Sequence, residues 1–285
     1  MRLGFGLGLQ YSKLSGGGNT DAFIIEVKTD NAGTSNNNQF QFTGAQGDYD
    51  VVAKQNDIVV ATFNDLSNQE TITLPSSGVY NLEIKAKEVN GFNRIAFDNG
   101  GDKLKITDIK QWGDVVWSSF NDAFFGCSNM LTTATDVPNL SNVTDMNDMF
   151  RNATIAIPDV SNWDVSSVTS MNSMFFGATS ANPDVSNWDI SSVTSMYYIF
   201  SNASSANPDV SNWDVSSVTN MSSMLVNSNL SVENLTACYE NWSQLTLQQN
   251  VQFDAGTIKY NSSGQAGRDI LVNTYNWTIE DGGQV

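Results

Sequence analysis

The feature that most constrains this chain is a repeat of 25 residues in its second half. Three near-identical blocks, DVSNWDVSSVTSM, DVSNWDISSVTSM and DVSNWDVSSVTNM, begin at Asp159, Asp184 and Asp209. A weaker copy precedes them around Val143, and a degenerate one lies near Phe120. A fixed period of this length predicts a solenoid, in which each unit buries an apolar face against its neighbours.

The apolar spacing within one repeat predicts how each unit is built. A first group predicts a short strand and consists of Val160, Trp163 and Val165. A second group has the spacing of one face of a helical or 3₁₀ turn and consists of Val168, Met171, Met174 and Phe175. Asn182-Pro183 then breaks the chain. We therefore expect a strand, a corner, a helical turn and a return in each unit.

Residues 20–112 predict a different, β-rich unit. Short alternating runs are separated by turn signals such as Pro75-Ser76-Ser77-Gly78. The runs lie at 23–27, 40–42, 49–53, 58–60, 72–74, 80–84, 95–97 and 104–106. Strands at this spacing favour an immunoglobulin-like β-sandwich. Its lysines are expected to face solvent: Lys28, Lys85, Lys87, Lys103 and Lys105.

The repeats are predicted to occupy residues 113–245, and residues 246–285 are expected to cap their last apolar face. The side chains available for this cover are Phe253, Tyr260, Ile270, Leu271, Tyr275 and Trp277. A short helix is predicted at 268–272. The expected fold class is therefore mainly β, with a sandwich, a solenoid of 25-residue coils and a C-terminal cap.

The charge of the chain excludes several classes of partner and of active site. The formal net charge is −17, and the protein contains no His. Nucleic acid and anionic membrane surfaces require clustered Lys and Arg, so neither is an expected partner. Without His, the Ser-His-Asp and Cys-His nucleophiles and the His-ligated zinc and haem sites are excluded. No apolar run approaches the length of a membrane span, so membrane insertion is not expected either.

The charge is also distributed unevenly. Residues 1–112 carry 10 basic and 13 acidic residues, whereas residues 113–285 carry 3 and 17. No basic residue lies between Arg151 and Lys259. This asymmetry predicts two regions with different surfaces and a boundary near Trp112.

Residues 1–19 form a separate segment, in which apolar residues alternate with glycine before three consecutive glycines at 16–18. An apolar strand on a flexible tether is typical of a docking peptide, although it can also pack on its own domain. The predicted docking residues are Leu3, Gly4, Phe5, Gly6, Leu7, Gly8 and Leu9. The segment lacks the features of a secretory signal peptide, so export by that route is not expected.

The repeats resemble the leucine-rich repeats of BspA-like bacterial surface proteins, with Met, Val and Trp where other repeats use Leu. The segment FNDAFFGCSNM at 120–130 is similar to the AF-x-x-C-x-x-L segment of that family. The stretch ending in GDKLKITDIKQWG resembles the family's leader domain, and WSQLTLQQNVQFDAGTIKY resembles its closing segment. The resemblance covers residues 20–285 and implies surface exposure and adhesion or attachment, without catalysis.

Stacked repeats would align identical residues into rows, here called ladders. An exposed Trp ladder would suit a carbohydrate or aromatic ligand, whereas a buried one would be core. The Asn ladder offers either ligand contacts or hydrogen bonds between turns. The repeat-surface ligand candidates are Trp163, Trp188, Trp213, Asn162, Asn187 and Asn212.

Two Asp ladders place like charges next to each other, and such an arrangement must be offset. Asx turns and capping hydrogen bonds would do so, and bound Ca²⁺ is the alternative, although it needs about six to eight oxygens. No other cofactor is expected. Glycoside hydrolysis is disfavoured because identical positions do not separate the pKa values of two carboxyls. The metal candidates are Asp159, Asp164, Asp184, Asp189, Asp209 and Asp214.

Two non-enzymatic functions fit these patterns. The first is a virion appendage, a phage fibre, spike or head-decoration protein, that docks to other virion proteins through residues 1–18. It would present the repeats to a glycan or protein on the host surface. The second is a bacterial cell-surface adhesin of the BspA-like type. The docking peptide without a signal peptide favours the virion surface, and a homo-oligomer is left open.

Overall fold

The computed structural model describes residues 21–87 and 91–285, and it is mainly β, as the sequence predicts. The predicted docking residues at 3–9 lie outside the described residues. The first region forms seven strands: β1 (Phe23–Lys28), β2 (Gln39–Gln41), β3 (Asp48–Gln55), β4 (Ile58–Ser67), β5 (Thr71–Thr73), β6 (Val79–Ala86) and β7 (Ile106–Gln111). An eighth strand, β8 (Leu131–Thr132), lies in the first repeat.

Six of these strands form one sheet in the order β4-β3-β6-β1-β7-β8, while β2 and β5 form a two-stranded sheet. Alternation of apolar and polar residues sets the buried face, because successive side chains of a strand point to opposite sides. Tyr80, Leu82 and Ile84 of β6 are accordingly buried, as are Phe40 of β2 and Ile72 of β5. The pairing of β7 with β8 is parallel and joins the first region to the repeats through main-chain hydrogen bonds.

Two details of this region differ from the sequence-based expectation. Residues 95–97 do not form a strand, because the main-chain N–H of Phe97 donates to carbonyls of Asp122 and Ala123 in the repeat region. Lys105 does not face solvent, because its side chain is completely buried, with the ammonium surrounded by oxygens of the 35–39 loop. The lysine therefore anchors a loop.

Trp112 marks the change in surface charge, but the hydrophobic core continues across it. Its ring lies 5.8 Å from that of Phe23 in β1 and 5.5 Å from that of Trp163 in the repeats. Trp117 and Phe120 are fully buried at the same junction. The two regions therefore share one core.

Successive repeats are joined by main-chain hydrogen bonds. Single-residue parallel bridges link Asp145 to Ser170, Ser170 to Ser195, and Ser195 to Asn220. Every second N–H of one turn donates to the turn of the next repeat. Between the turn at 171–177 and the turn at 195–201, these donors are Met171, Ser173, Phe175 and Gly177, at 2.8–3.1 Å from their acceptors. Buried Phe150, Phe175 and Phe200 stack along the same direction with centroids 5.7 and 5.6 Å apart.

Each unit contains turns where a strand and a helical turn were predicted. Residues 160–165 are not a strand, because two Asx turns, five residues apart at Asp159 and Asp164, bend the chain. The Met-rich segment is a series of turns bounded by two left-handed residues four positions apart. These pairs are Asp122 and Gly126, Asp148 and Asn152, Ser173 and Gly177, Tyr198 and Asn202, and Ser223 and Asn227.

The C-terminal residues cover the last repeat. Helix α1 (Val232–Trp242) begins at Ser231, whose hydroxyl accepts a hydrogen bond from the N–H of Asn234. A 3₁₀ turn (Ser262–Gly264), helix α2 (Gln265–Tyr275) and the parallel strands β9 (Gln252–Asp254) and β10 (Thr278–Glu280) complete this part. The helix predicted at 268–272 is thus the centre of α2. Ile270 was expected in the cover but is 37% exposed, because α2 turns Gly267 and Leu271 inward instead. Within the described ranges, no helix has the length and apolar character that a membrane span requires.

Candidate functional site on the repeat surface

The Trp ladder lies inside the repeats. Trp163, Trp188 and Trp213 are 4%, 4% and 2% exposed, and the last two indoles stack with their centroids 6.4 Å apart. Each Trp stands between two Asx turns, which direct it inward with the flanking Val or Ile residues. The indoles therefore offer no ring face at the surface, which corrects their place among the ligand candidates and leaves the core role.

The Asp ladders form the turns themselves. Asp159 Oδ1 accepts hydrogen bonds from the N–H and the hydroxyl of Ser161, at 3.1 and 2.6 Å. Asp164 does the same with Ser166. The equivalent carboxylates in the later blocks accept the N–H two residues onward: Asp184, Asp189, Asp209 and Asp214. Such Asx turns satisfy the main chain at each bend.

These hydrogen bonds also hold the carboxylates in the charged form. Donation by the hydroxyl and N–H of Ser161 lowers the pKa of Asp159, and Ser186 has the same effect on the pKa of Asp184. The neighbouring charge of Asp184 opposes the shift of Asp159 but is the smaller effect. Local hydrogen bonding therefore outweighs repulsion along the ladder.

The Asp carboxylates of the repeats are arranged to form turns and are not grouped around a common point. Across residues 21–87 and 91–285, no three or more His, Cys, Asp or Glu side chains are grouped to hold a metal ion. Each Asp of the blocks bonds its own turn, and Ca²⁺ would need several further oxygens at each of them.

The Asn ladder is exposed. Asn162, Asn187 and Asn212 are all at the surface, and Asn162 donates only to the adjacent Ser161 hydroxyl, at 3.2 Å. Together with the exposed Asp residues of the turns, they form a periodic acidic and amide-rich surface. We call it the polar face: Asp159, Asn162 and Asp164 with their equivalents in the next two blocks.

A second amide ladder lies on the Met-rich turns and was not predicted. Asn147 Oδ1 accepts from the N–H of Asn172 at 2.7 Å and from the Ser170 hydroxyl at 2.7 Å. Asn172 Oδ1 in turn accepts from the N–H of Tyr197 at 3.0 Å. At Tyr197 the series of amides ends.

Aromatic rings surround Arg151 on the surface of these turns. The Arg151 guanidinium carbon lies 4.9 Å from the centroid of Phe125 on one side and 4.9 Å from that of Phe176 on the other. Tyr198 meets Phe176 edge-on at 5.8 Å, and Tyr197 lies 5.0 Å from Tyr198. We call these five residues the aromatic cluster. Its signal in the sequence is the Tyr-Tyr pair that interrupts an otherwise polar repeat position.

A family model matches part of the chain. Residues 118–242 match the family model described as "Mycoplasma protein of unknown function, DUF285". The match covers most of the repeats and less than half of the chain, so the repeats are similar to that family. No curated protein matches the chain, and no solved structure does.

Proposed function

We propose that this protein is a non-enzymatic attachment protein, a virion surface appendage that docks to its particle by its N-terminus and presents the repeats to a host. The observation that carries the proposal is the polar face. Its exposed Asp and Asn groups recur at a fixed period, and each is held on turns bound to a continuous core. Such a surface suits broad and repeated contacts with another surface.

The fold supports the same proposal. We propose that the repeats form a leucine-rich-repeat solenoid of the BspA-like type, since parallel bridges and turn-to-turn hydrogen bonds recur in successive units. We assign residues 20–112 to an immunoglobulin-like leader on the basis of its buried antiparallel strands. The match of residues 118–242 to a Mycoplasma family agrees with repeats of bacterial type.

The polar face supports attachment better than catalysis. Acid–base catalysis by two carboxyls requires environments that separate their pKa values. Asp159 and Asp184 instead lie in equivalent turns of successive blocks, each accepts from the Ser two residues onward, and the pKa of both is lowered.

Residues 1–18 are the proposed docking element. In an extended conformation, their alternation of Leu or Phe with Gly would present one apolar face and a bare main chain, which could add as a strand to a partner. Several copies on one particle would raise the avidity of a weak contact without any new interaction. The proposed partners are therefore other virion proteins at one end and a host glycan or protein at the other.

The proposal is tested by immunogold electron microscopy with antibody against residues 113–285. Purified phage particles and uninfected host cells are labelled side by side, and gold on the particles alone is the expected result. Gold on the envelope of uninfected cells would overturn the virion assignment and favour a BspA-like adhesin. A variant lacking residues 1–18 should fold and fail to join the particle, and its incorporation would refute the docking role.

A further inference from the structure

The repeat that begins at Asp184 departs from its neighbours at two surface positions. Where the earlier units carry Asn147-Asp148 and Asn172-Ser173, this unit carries Tyr197-Tyr198, and the following unit returns to Ser222-Ser223. The second residue of each pair has a positive φ, which is 59° at Tyr198. The substitution therefore places two aromatic rings at positions that the repeat otherwise gives to small polar residues.

Both positions are unfavourable places for Tyr. A bulky residue in the left-handed region is strained, whereas Asp, Asn and Ser tolerate it better. Tyr197 also ends the amide ladder, because its side chain has no carbonyl that could accept from the next turn. Ser222 bonds within its own unit, to Asn220, instead. Local strain that a repeat could easily avoid is characteristic of functional sites.

The two Tyr residues border a surface concavity of about 390 Å³. It is lined by Arg151, Ser173, Phe176, Tyr197, Tyr198 and Asn202. Tyr198 is 37% exposed, so its ring is open to solvent. Within the described part of the chain, neither phenol has a hydrogen-bond partner, and the Arg151 Nε is buried without one. The exposed ring of Tyr198 and two phenols without a partner among the described residues therefore meet in one place.

The charges of the concavity favour a neutral ligand. Arg151 is its only charged lining residue, and its Nη1 lies 2.9 Å from the carboxylate of Asp148. The surrounding region is strongly acidic, with 17 acidic and 3 basic residues in 113–285, so a polyanion is repelled. A quaternary ammonium group would approach Arg151, which already occupies the cation position between two rings.

We propose that the aromatic cluster is a carbohydrate-binding subsite for a neutral pyranose. The apolar C–H face of the sugar lies on the exposed ring of Tyr198, and Phe176, whose plane is at 83° to that ring, contacts the sugar from the side. The hydroxyl groups of the sugar bond Arg151 and the Asn202 amide. A pyranose has this combination of an apolar face and a polar rim, which matches aromatic rings with polar tips. A peptide would find few apolar contacts in a concavity that also contains Arg151, Ser173 and Asn202.

This inference rests on the proposed attachment function, because an attachment protein needs a ligand and the subsite would supply it. The two can fail separately: sugar binding in solution does not depend on where the protein is located, and gold labelling does not depend on a sugar.

The test uses the full chain and four neutral tetrasaccharides, built from glucose, galactose, mannose and N-acetylglucosamine. A sialylated oligosaccharide, a uronic-acid oligosaccharide and a proline- and aromatic-rich peptide are tested beside them. Saturation-transfer NMR detects binding, and isothermal titration calorimetry gives its affinity. We expect at least one of the four to bind, and Tyr198→Ser to weaken it by roughly tenfold or more. Ser is the residue at the equivalent positions 173 and 223, so this variant should fold at least as well as the wild type. Phe176→Ala provides a second loss of ring surface.

Ser223→Ala is the matched control, because it alters the same turn position in the next unit and should leave binding unchanged. Four outcomes overturn the proposal. None of the sugars binds; binding survives in Tyr198→Ser; only sialylated or uronic-acid oligosaccharides bind; or the site takes a proline- and aromatic-rich peptide in place of sugar.

Discussion

The indole Nε1 of Trp188 donates a hydrogen bond of 2.9 Å to the main-chain carbonyl of Val160 in the preceding repeat. Trp213 makes the same bond to Val185, and Trp242 of α1 makes it to Val210 at 3.2 Å. Each indole therefore fixes its own unit to the one before it. The Nε1 of Trp163 is buried without a partner, because the preceding unit is degenerate there.

This difference separates the effects of two identical substitutions. Trp188→Phe removes ring volume and the indole donor to the Val160 carbonyl, which then accepts only from the N–H of Trp163, at 3.1 Å. Trp163→Phe removes ring volume and an indole N–H that has no partner within the described part of the chain. We expect the first to reduce the free energy of unfolding by about 1 kcal/mol more than the second. Urea denaturation of both variants measures this difference, and equal losses would show that the hydrogen bond contributes nothing.

The Asx turns predict a contrast between two substitutions of Asp184. Asn keeps the side-chain oxygen that accepts from the N–H and hydroxyl of Ser186, and Ala does not. At neutral pH, Asp184→Ala should lose about 0.5–1 kcal/mol of stability, and Asp184→Asn should lose little. Thermal unfolding of the two proteins distinguishes them. An equal loss of stability in both variants would mean that the negative charge of Asp184 stabilises the fold and that its turn hydrogen bonds do not.

Asp122 predicts a pH dependence of stability at the junction of the two regions. Burial, and then the charges of Asp98 and Asp148, raise its pKa from 3.8 to about 6. The folded protein therefore binds this proton more tightly than the unfolded chain. The resulting stability is complete below the unfolded pKa of 3.8 and is lost as the pH rises through about 6.

Asp122→Asn should accordingly raise the melting temperature by about 2–4 °C near pH 7.5 and leave it unchanged near pH 3.5. Asn tolerates the positive φ of 57° at this position. Asp98→Asn removes one neighbouring charge and should give a smaller gain in the same direction. A gain of equal size at both pH values would exclude titration of Asp122 as its cause.

The buried pair of Lys105 and Asp102 predicts a large loss of stability. The Asp102 carboxylate accepts from the main-chain N–H groups of Thr34, Ser35 and Gln41 at 2.8–3.0 Å. Lys105→Met leaves that carboxylate buried without its cation and should cost about 3–5 kcal/mol. Lys103→Met, in the same loop but partly exposed, is the control and should cost little.

Urea denaturation gives the two free energies for the lysine variants. Hydrogen exchange over residues 31–41 should show loss of protection in Lys105→Met alone. Similar stability of the two variants would mean that the main-chain hydrogen bonds hold the loop without the lysine.

Much of the core follows from the sequence. The alternation in β1, β3 and β6 predicts their buried faces, and the repeat period aligns the Val, Met, Phe and Trp positions that are buried in successive units. The turn role of the Asp residues also follows, because Asp two residues before Ser is a local signal that needs no tertiary contact.

Other features depend on contacts that local patterns do not encode. Parallel pairing of β7 with β8 joins residues far apart in the chain, and the charge asymmetry gives no hint that Trp112 and Trp163 touch. Lys105 was expected at the surface because a single lysine in a β-rich segment usually lies there; its burial depends on five oxygens from other residues. For the candidate site, the informative positions were the exceptions to the repeat, Tyr197 and Tyr198.

Successive turns are joined by the same main-chain hydrogen bonds, so units could be added or removed without changing how their neighbours pair. Duplicating residues 159–183 would add one unit that pairs with units of the same sequence pattern on both sides. It would lengthen the stack by about 4.8 Å. Copying residues 184–208 would add the same height and also a second Tyr-Tyr pair. Recombination between near-identical blocks can therefore change the reach of the protein independently of the number of its aromatic surfaces, and a population of such genes would vary in both.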